Sequence, residues 1–161
     1  MQIAINSLCK RDKKFASIVS QLGRINFGSS ELTFQSLLKL IISQQLSGKS
    51  SEKIFQRLKK HFGEKQFIDP KDFISVPSIN LRDIGISNNK IIYMKELAKT
   101  ILLHPDLLES WESLSDPDVV KEIQKLKGFG PWSASIIMIS KLERQDVFPF
   151  GDATLRKAYL N

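Results

Sequence analysis

The stretch Leu126-Lys127-Gly128-Phe129-Gly130-Pro131-Trp132-Ser133-Ala134 sets two glycines around one apolar residue, between two segments of helical period. Gly128 and Gly130 can adopt positive φ and leave backbone N–H groups bare at the start of the helix that Pro131 opens. Such a helix start is an anion site, suited to a single phosphate. A plain helix-to-helix connection is the alternative, but one glycine would serve it. Asp152 follows Pro149-Phe150-Gly151 and precedes Ala153-Thr154-Leu155-Arg156, a position fit for a helix N-cap and equally for a carboxylate turned toward a substrate. Trp132 offers an electron-rich indole face that attracts cations, or else ordinary core packing. Gln44 and Gln45 stand where an apolar helix ends and can cap that end or bridge loops.

Those residues need a scaffold, and the chain has the means to build one. With 161 residues and 42% hydrophobic content it can bury the core of one compact domain. Lysine and arginine number 24 against 17 acidic residues, a formal charge of +7 that favours a polyanionic partner over a membrane surface. A single cysteine, Cys9, excludes a disulfide framework or a cysteine-rich metal site within these residues and fits a reducing compartment. Met1 to Asn6 run directly into Lys10, Arg11, Lys13 and Lys14 with no apolar leader pattern. The expectation is a soluble intracellular protein, in cytoplasm or nucleoid if bacterial and in the nucleus if eukaryotic.

Helical period runs through nearly the whole chain. Phe15, Ile18, Val19 and Leu22 fall on one face before Gly23. Phe34, Leu37, Leu38, Ile41 and Ile42 follow, then Ile54, Phe55, Leu58 and Phe62 up to Gly63. Asp69-Pro70 and Asp116-Pro117 read as cap-plus-proline starts, and Ser87 reads as the cap of a longer helix bearing Ile91, Met94, Leu97, Ala98 and Ile101. Short helices are expected around Leu81 and around Trp111. No alternating strand pattern competes, so the class is all-α, with about nine or ten short helices.

Leu126 to Ala134, followed one helix later by Val147-Phe148-Pro149-Phe150-Gly151-Asp152, resembles the helix-hairpin-helix and Gly/Pro-Asp signature of the HhH-GPD DNA glycosylase superfamily. Within it, Gly-Pro-Trp-Ser-Ala and Phe-Pro-Phe-Gly-Asp-Ala-Thr-Leu-Arg-Lys look most like the alkylation-repair branch, 3-methyladenine DNA glycosylase II. Ile42-Ser43-Gln44-Gln45-Leu46-Ser47 is similar to that branch's wedge loop, and Gly85 to Lys90 also matches. The likeness runs from about residue 12 to the end. It implies a helical bundle over residues 31–143, with the hairpin at about 119–142. Residues 1–30 would pack with 144–161, and a cleft would lie between the two parts.

The resemblance further implies a monofunctional enzyme acting as a monomer on double-stranded DNA that carries a damaged base. Asp152 would be the catalytic carboxylate, stabilising an oxocarbenium-like transition state or orienting water. Trp132 would line the base pocket, where lyase-competent relatives carry a nucleophilic lysine. Gln45, or Gln44 if the register shifts by one, would fill the gap left by the extruded base. Gly128, Gly130, Ser133 and Lys127 would bind phosphate, with Lys49, Lys53 and Lys90 as further candidates. Backbone carbonyls of Gln124, Leu126 and Phe129 would hold a sodium or potassium ion, and no redox cofactor or catalytic metal is expected.

Two features depart from the pattern. Ile136 and Ala153 stand where some relatives carry aromatic pocket residues, and relatives continue for several helices beyond the aspartate, whereas this sequence ends at Asn161. The expectation is either a fragment or a more open pocket. A DNA-binding module that has lost catalysis, and a glycosylase for oxidised or mismatched bases, are the alternatives left open.

Overall fold

The computed structural model describes residues 2–23 and 31–160, and these form eleven α-helices with no strand among them. The bundle begins at α3 (Phe34–Ser43), where Thr33 starts the helix with a reciprocal cap. Its hydroxyl accepts from the Ser36 N–H at 3.1 Å while its own N–H donates to Ser36 Oγ at 3.0 Å. Phe34, Leu37, Leu38, Ile41 and Ile42 then fall on one stripe, and all five are buried. Full burial of each such side chain contributes about 1.5–3 kcal/mol. Ser47 caps α4 (Gly48–His61), which adds Phe55 and Leu58 to the core.

Two short helices follow, α5 (Pro70–Ser75) and α6 (Ser78–Asp83). Asp69 caps α5 through the Lys71 N–H, and Pro77 prevents the two from fusing. The longest helix, α7 (Asn88–Leu103), packs against α3, α5 and α6 and buries Ile91, Met94, Leu97 and Ala98. Helix α8 (Leu107–Ser113) buries Trp111 completely, and α9 (Asp116–Lys125) packs against α10 (Pro131–Ser140), to which the glycine-bearing turn joins it. Phe73 anchors an aromatic cluster, edge-on to Phe34 at 5.6 Å and stacked with Phe62 at 6.0 Å. The last element is α11 (Ala153–Leu160).

Several sequence expectations need correction. Helix α1 (Gln2–Arg11) was not foreseen, because its residues carry no sustained apolar stripe; Asp12 separates it from α2 (Lys13–Leu22) by capping the latter through the N–H groups of Lys14 and Phe15. Asp116 is the first helical residue of α9 and not its cap, which is Ser115; the Asp116 carboxylate instead lies 3.4 Å from Arg144 Nε. Ser87 holds the cap position of α7 without any side-chain cap bond. Helices α1 and α2 pack on one another, and α2 buries none of its side chains. The expected unit 1–30 extends over residues 24–30, which lie outside the described residues. No helix among the described residues is long and apolar enough to cross a membrane.

Candidate active site and DNA interface

The turn between α9 and α10 is built from one positive-φ glycine, one buried aromatic and one glycine without a side chain to cap. Gly128 sits at φ +86°, where an L side chain is disfavoured, and a Cβ there would overlap the Tyr93 ring, whose Cγ would lie 2.7 Å away. Phe129 is buried and pins the turn to the core, with its N–H donating to the Leu126 carbonyl at 3.1 Å. Gly130 is the N-cap of α10 at φ −95°, with open space around its α-carbon. The sequence treats the two glycines alike, but only Gly128 uses positive φ. Because Gly130 has no side chain and Pro131 has no N–H, no side chain satisfies the first turn of α10. That leaves the N–H groups of Trp132 and Ser133 without a side-chain cap, one turn of chain after exposed Lys127.

The implied cation would need carbonyl oxygens at this turn. Gln124 lies in the last turn of α9, where carbonyls lack a helical N–H partner, and Leu126 accepts one N–H, from Phe129, on an oxygen with two lone pairs.

Asp152 caps α11. Its Oδ1 accepts from the N–H groups of Thr154 and Leu155, each at 2.9 Å, and its Oδ2 accepts from Trp132 Nε1 at 2.9 Å. The Trp132 bond is the largest cause holding its carboxyl below the usual aspartate range, followed by the Leu155 N–H; burial opposes them, and the Thr154 N–H adds least. Asp152 is therefore ionised at neutral pH. Both acceptor sites of Oδ1 are filled and one on Oδ2 remains. Trp132 is half-buried, and a Cβ on Gly151 would lie 3.6 Å from its Cβ, an ordinary van der Waals contact.

A cleft of about 560 Å³ brings these parts together, lined by Asp152, Trp132, Gly128, Gly130 and Gln45 among others. Gln45 is exposed at φ +58°, so its side chain leaves the end of α3 in a direction a helical residue could not take. Gln44, the alternative wedge, is committed elsewhere: its Nε2 donates to the Gly128 carbonyl at 2.8 Å and to Ser133 Oγ at 3.2 Å. Ser133 is buried and its Oγ accepts from Gln44, which leaves its O–H and its backbone N–H as donors. Lys90 is likewise not a surface phosphate ligand. Its Nζ donates to the carbonyls of Ile42 at 2.7 Å and Gln44 at 2.8 Å, closing the C-terminus of α3, and partial burial pushes its pKa down. Lys49 and Lys53 are exposed on α4 beyond the Gln45 loop. The roles of Lys90, Tyr93 and Gln44 as supports escape sequence reasoning because each depends on a partner tens of residues away.

The family model described as HhH-GPD superfamily base excision DNA repair protein matches residues 38–160. The chain is 27% identical over 160 residues to DNA-3-methyladenine glycosylase 1 of Schizosaccharomyces pombe, covering 98% of this chain and 70% of that one. It is 30% identical over 138 residues to the DNA-3-methyladenine glycosylase of Saccharomyces cerevisiae, covering 78% of this chain but 45% of the relative. The solved structure of the fission yeast 3-methyladenine DNA glycosylase in complex with abasic DNA superposes with a TM-score of 0.80 at 28% identity, over 92% of this chain and 74% of that one. The chain belongs to the HhH-GPD superfamily of base excision DNA repair proteins.

Proposed function

We propose that the protein is a monofunctional DNA glycosylase of base excision repair. It would hydrolyse the N-glycosidic bond of alkylated purines such as 3-methyladenine and leave an abasic site. The observation that carries this reading is the ionised Asp152 carboxylate, held by Trp132 Nε1 and the first turn of α11, in one cleft with the hairpin turn and Gln45. The similarity to a DNA-3-methyladenine glycosylase, and to one solved in complex with abasic DNA, supports the same reading.

In this mechanism the first-turn N–H groups of α10 and Lys127 grip one phosphate, while Gln45 enters the stack and the damaged nucleotide turns out into the cleft. An N3- or N7-alkylated purine already carries positive charge. When its bond to C1′ breaks, the electron pair goes to the base and neutralises it, so no strong general acid is needed. The sugar is left cationic, and the open acceptor site of Asp152 Oδ2 stabilises that charge and then takes a hydrogen bond from the attacking water. Water oxygen bonds to C1′ and its proton passes to solvent. Trp132 cannot form a Schiff base, so the strand stays intact. A sodium or potassium ion on the carbonyls of Gln124, Leu126 and Phe129 would add positive charge beside the gripped phosphate.

The protein would act inside the cell as a monomer, with residues 1–30 packing against 144–161. Such packing would cover Ile18 and Leu22 of α2, and Phe148, Phe150 and Leu155 near Asp152, all of them exposed. The test is single-turnover base release from duplexes containing 3-methyladenine, 7-methylguanine, hypoxanthine or 8-oxoguanine. Asp152→Asn is expected to lower release of the methylated purines by about a hundredfold or more while DNA binding persists. Tight binding with no release by the native chain would favour a binding module, and strand cleavage without added alkali would contradict a monofunctional enzyme.

A further inference from the structure

Wedge and phosphate grip belong to segments some eighty residues apart in sequence, yet three side chains tie them to each other. Gln44 lies immediately before Gln45, and its amide reaches across to the Gly128 carbonyl and to Ser133 Oγ, the two ends of the gripping turn. Lys90, in the first turn of α7, donates to the carbonyls of Ile42 and Gln44 and so fixes the backbone from which Gln45 projects. Tyr93, three residues later on the same face of α7, lies against the α-carbon of Gly128 so closely that no side chain fits between them. One turn of α7 therefore holds the wedge loop with one residue and the hairpin with the next, while Gln44 closes the triangle.

We propose that Lys90, Tyr93 and Gln44 are positioning residues that set the reach of Gln45 relative to the phosphate-gripping turn, so that grip and base extrusion occur in register. The need for such a device follows from the geometry of extrusion. A wedge enters the stack at a fixed distance from the gripped phosphate, and a displacement of about 1 Å can cost about a hundredfold in rate. Gln45 occupies an unfavoured backbone region, which persists only where its surroundings hold it. The two Lys90 bonds on its flank supply that hold. The Gly128 carbonyl that Gln44 engages belongs to the positive-φ residue of the hairpin, so the amide ties that turn to the residue immediately before Gln45. This inference rests on the glycosylase reading, since only an extruding enzyme needs the two parts in register.

Gln44→Leu is the cleanest test, because it cuts the strut without changing charge. Three quantities are read on the full chain: affinity for undamaged duplex, fluorescence of 2-aminopurine beside the lesion as a report of unstacking, and single-turnover release of 3-methyladenine. The expected result is affinity for undamaged duplex within about threefold of native, with unstacking and release down by about tenfold to a hundredfold. Lys90→Met cuts the same assembly independently should Gln44→Leu fail to fold, and Lys90→Arg, which keeps donors for both carbonyls, restores part of the loss. Affinity and release falling in equal proportion, or unstacking unchanged in a folded variant, overturns the positioning role. A native chain that neither unstacks nor releases base overturns the glycosylase reading itself, a result distinct from either.

Discussion

Asp152 gives its two oxygens different duties. Oδ1 is consumed by the first turn of α11, and Oδ2 is shared between the indole of Trp132 and open space in the cleft. Since the Trp132 bond is the largest cause of the lowered pKa, Trp132→Phe should move that pKa up toward the ordinary aspartate value of about 3.9. In the proposed mechanism the active form is the ionised one, so base release should be present above the folded-state pKa and lost as pH falls through it. The acid limb of the single-turnover rate should therefore shift to higher pH in Trp132→Phe, and an unmoved limb would remove the indole from this role. The hairpin glycines make a second contrast. Gly128→Ala must accept positive φ, at about 1–2 kcal/mol, and must displace Tyr93, whereas Gly130→Ala meets ordinary φ and open space. Titration with duplex DNA should show Gly128→Ala binding at least about tenfold more weakly and Gly130→Ala within about threefold of native. Residue identity alone gave no means of ranking these two glycines, because the distinction lies in Tyr93, which stands 35 positions earlier in the chain.

Helices were the most legible level of the fold, for a physical reason: a buried stripe of period 3.6 is a local property, and Phe34 to Ile42 states it without help from the rest of the chain. Asp69-Pro70 announced the start of α5 for the same reason. What stayed hidden depends on contacts across elements or on helices without a stripe. Helix α1 shows no stripe, Lys90 looks like any surface lysine until the end of α3 is seen beneath it, and Gln44 and Gln45 are indistinguishable until one is bonded and the other is not. The start of α3 tests the local level by itself. Thr33→Ala removes the acceptor for the Ser36 N–H and breaks the reciprocal cap, and should cost about 1 kcal/mol. In a chain of this size that corresponds to a melting temperature lower by about 2–4 °C by calorimetry. The wedge end of α3 is held separately by Lys90, so base release per folded molecule should not change; a release defect larger than the stability loss would mean that strain travels along the helix.

The buried residues of the whole molecule are distributed unevenly, and that unevenness decides which parts open first. The core runs through α3, α4, α5, α6, α7, α9 and α10, joined by Trp111 of α8, while α2 contributes no buried side chain and residues 153–158 of α11 are all exposed. Local opening energies range from near zero for segments with few buried contacts up to the full unfolding free energy for the core. Amide hydrogen exchange followed by mass spectrometry on this chain should therefore find α1, α2 and α11 exchanging well before α3 and α7. Asp152 sits at the start of a weakly anchored helix, although Trp132 ties it to α10 and hence to the core. Binding to a duplex with an abasic analogue should slow exchange in the α9–α10 turn and in the first turn of α11, where Asp152 would face the ligand, and should leave α1 unchanged. Protection of α2 as deep as that of α3 in the free chain would contradict the uneven core, because deep protection requires buried contacts that α2 lacks. Protection on binding that spared the first turn of α11 would separate Asp152 from the DNA and remove the basis for its catalytic role.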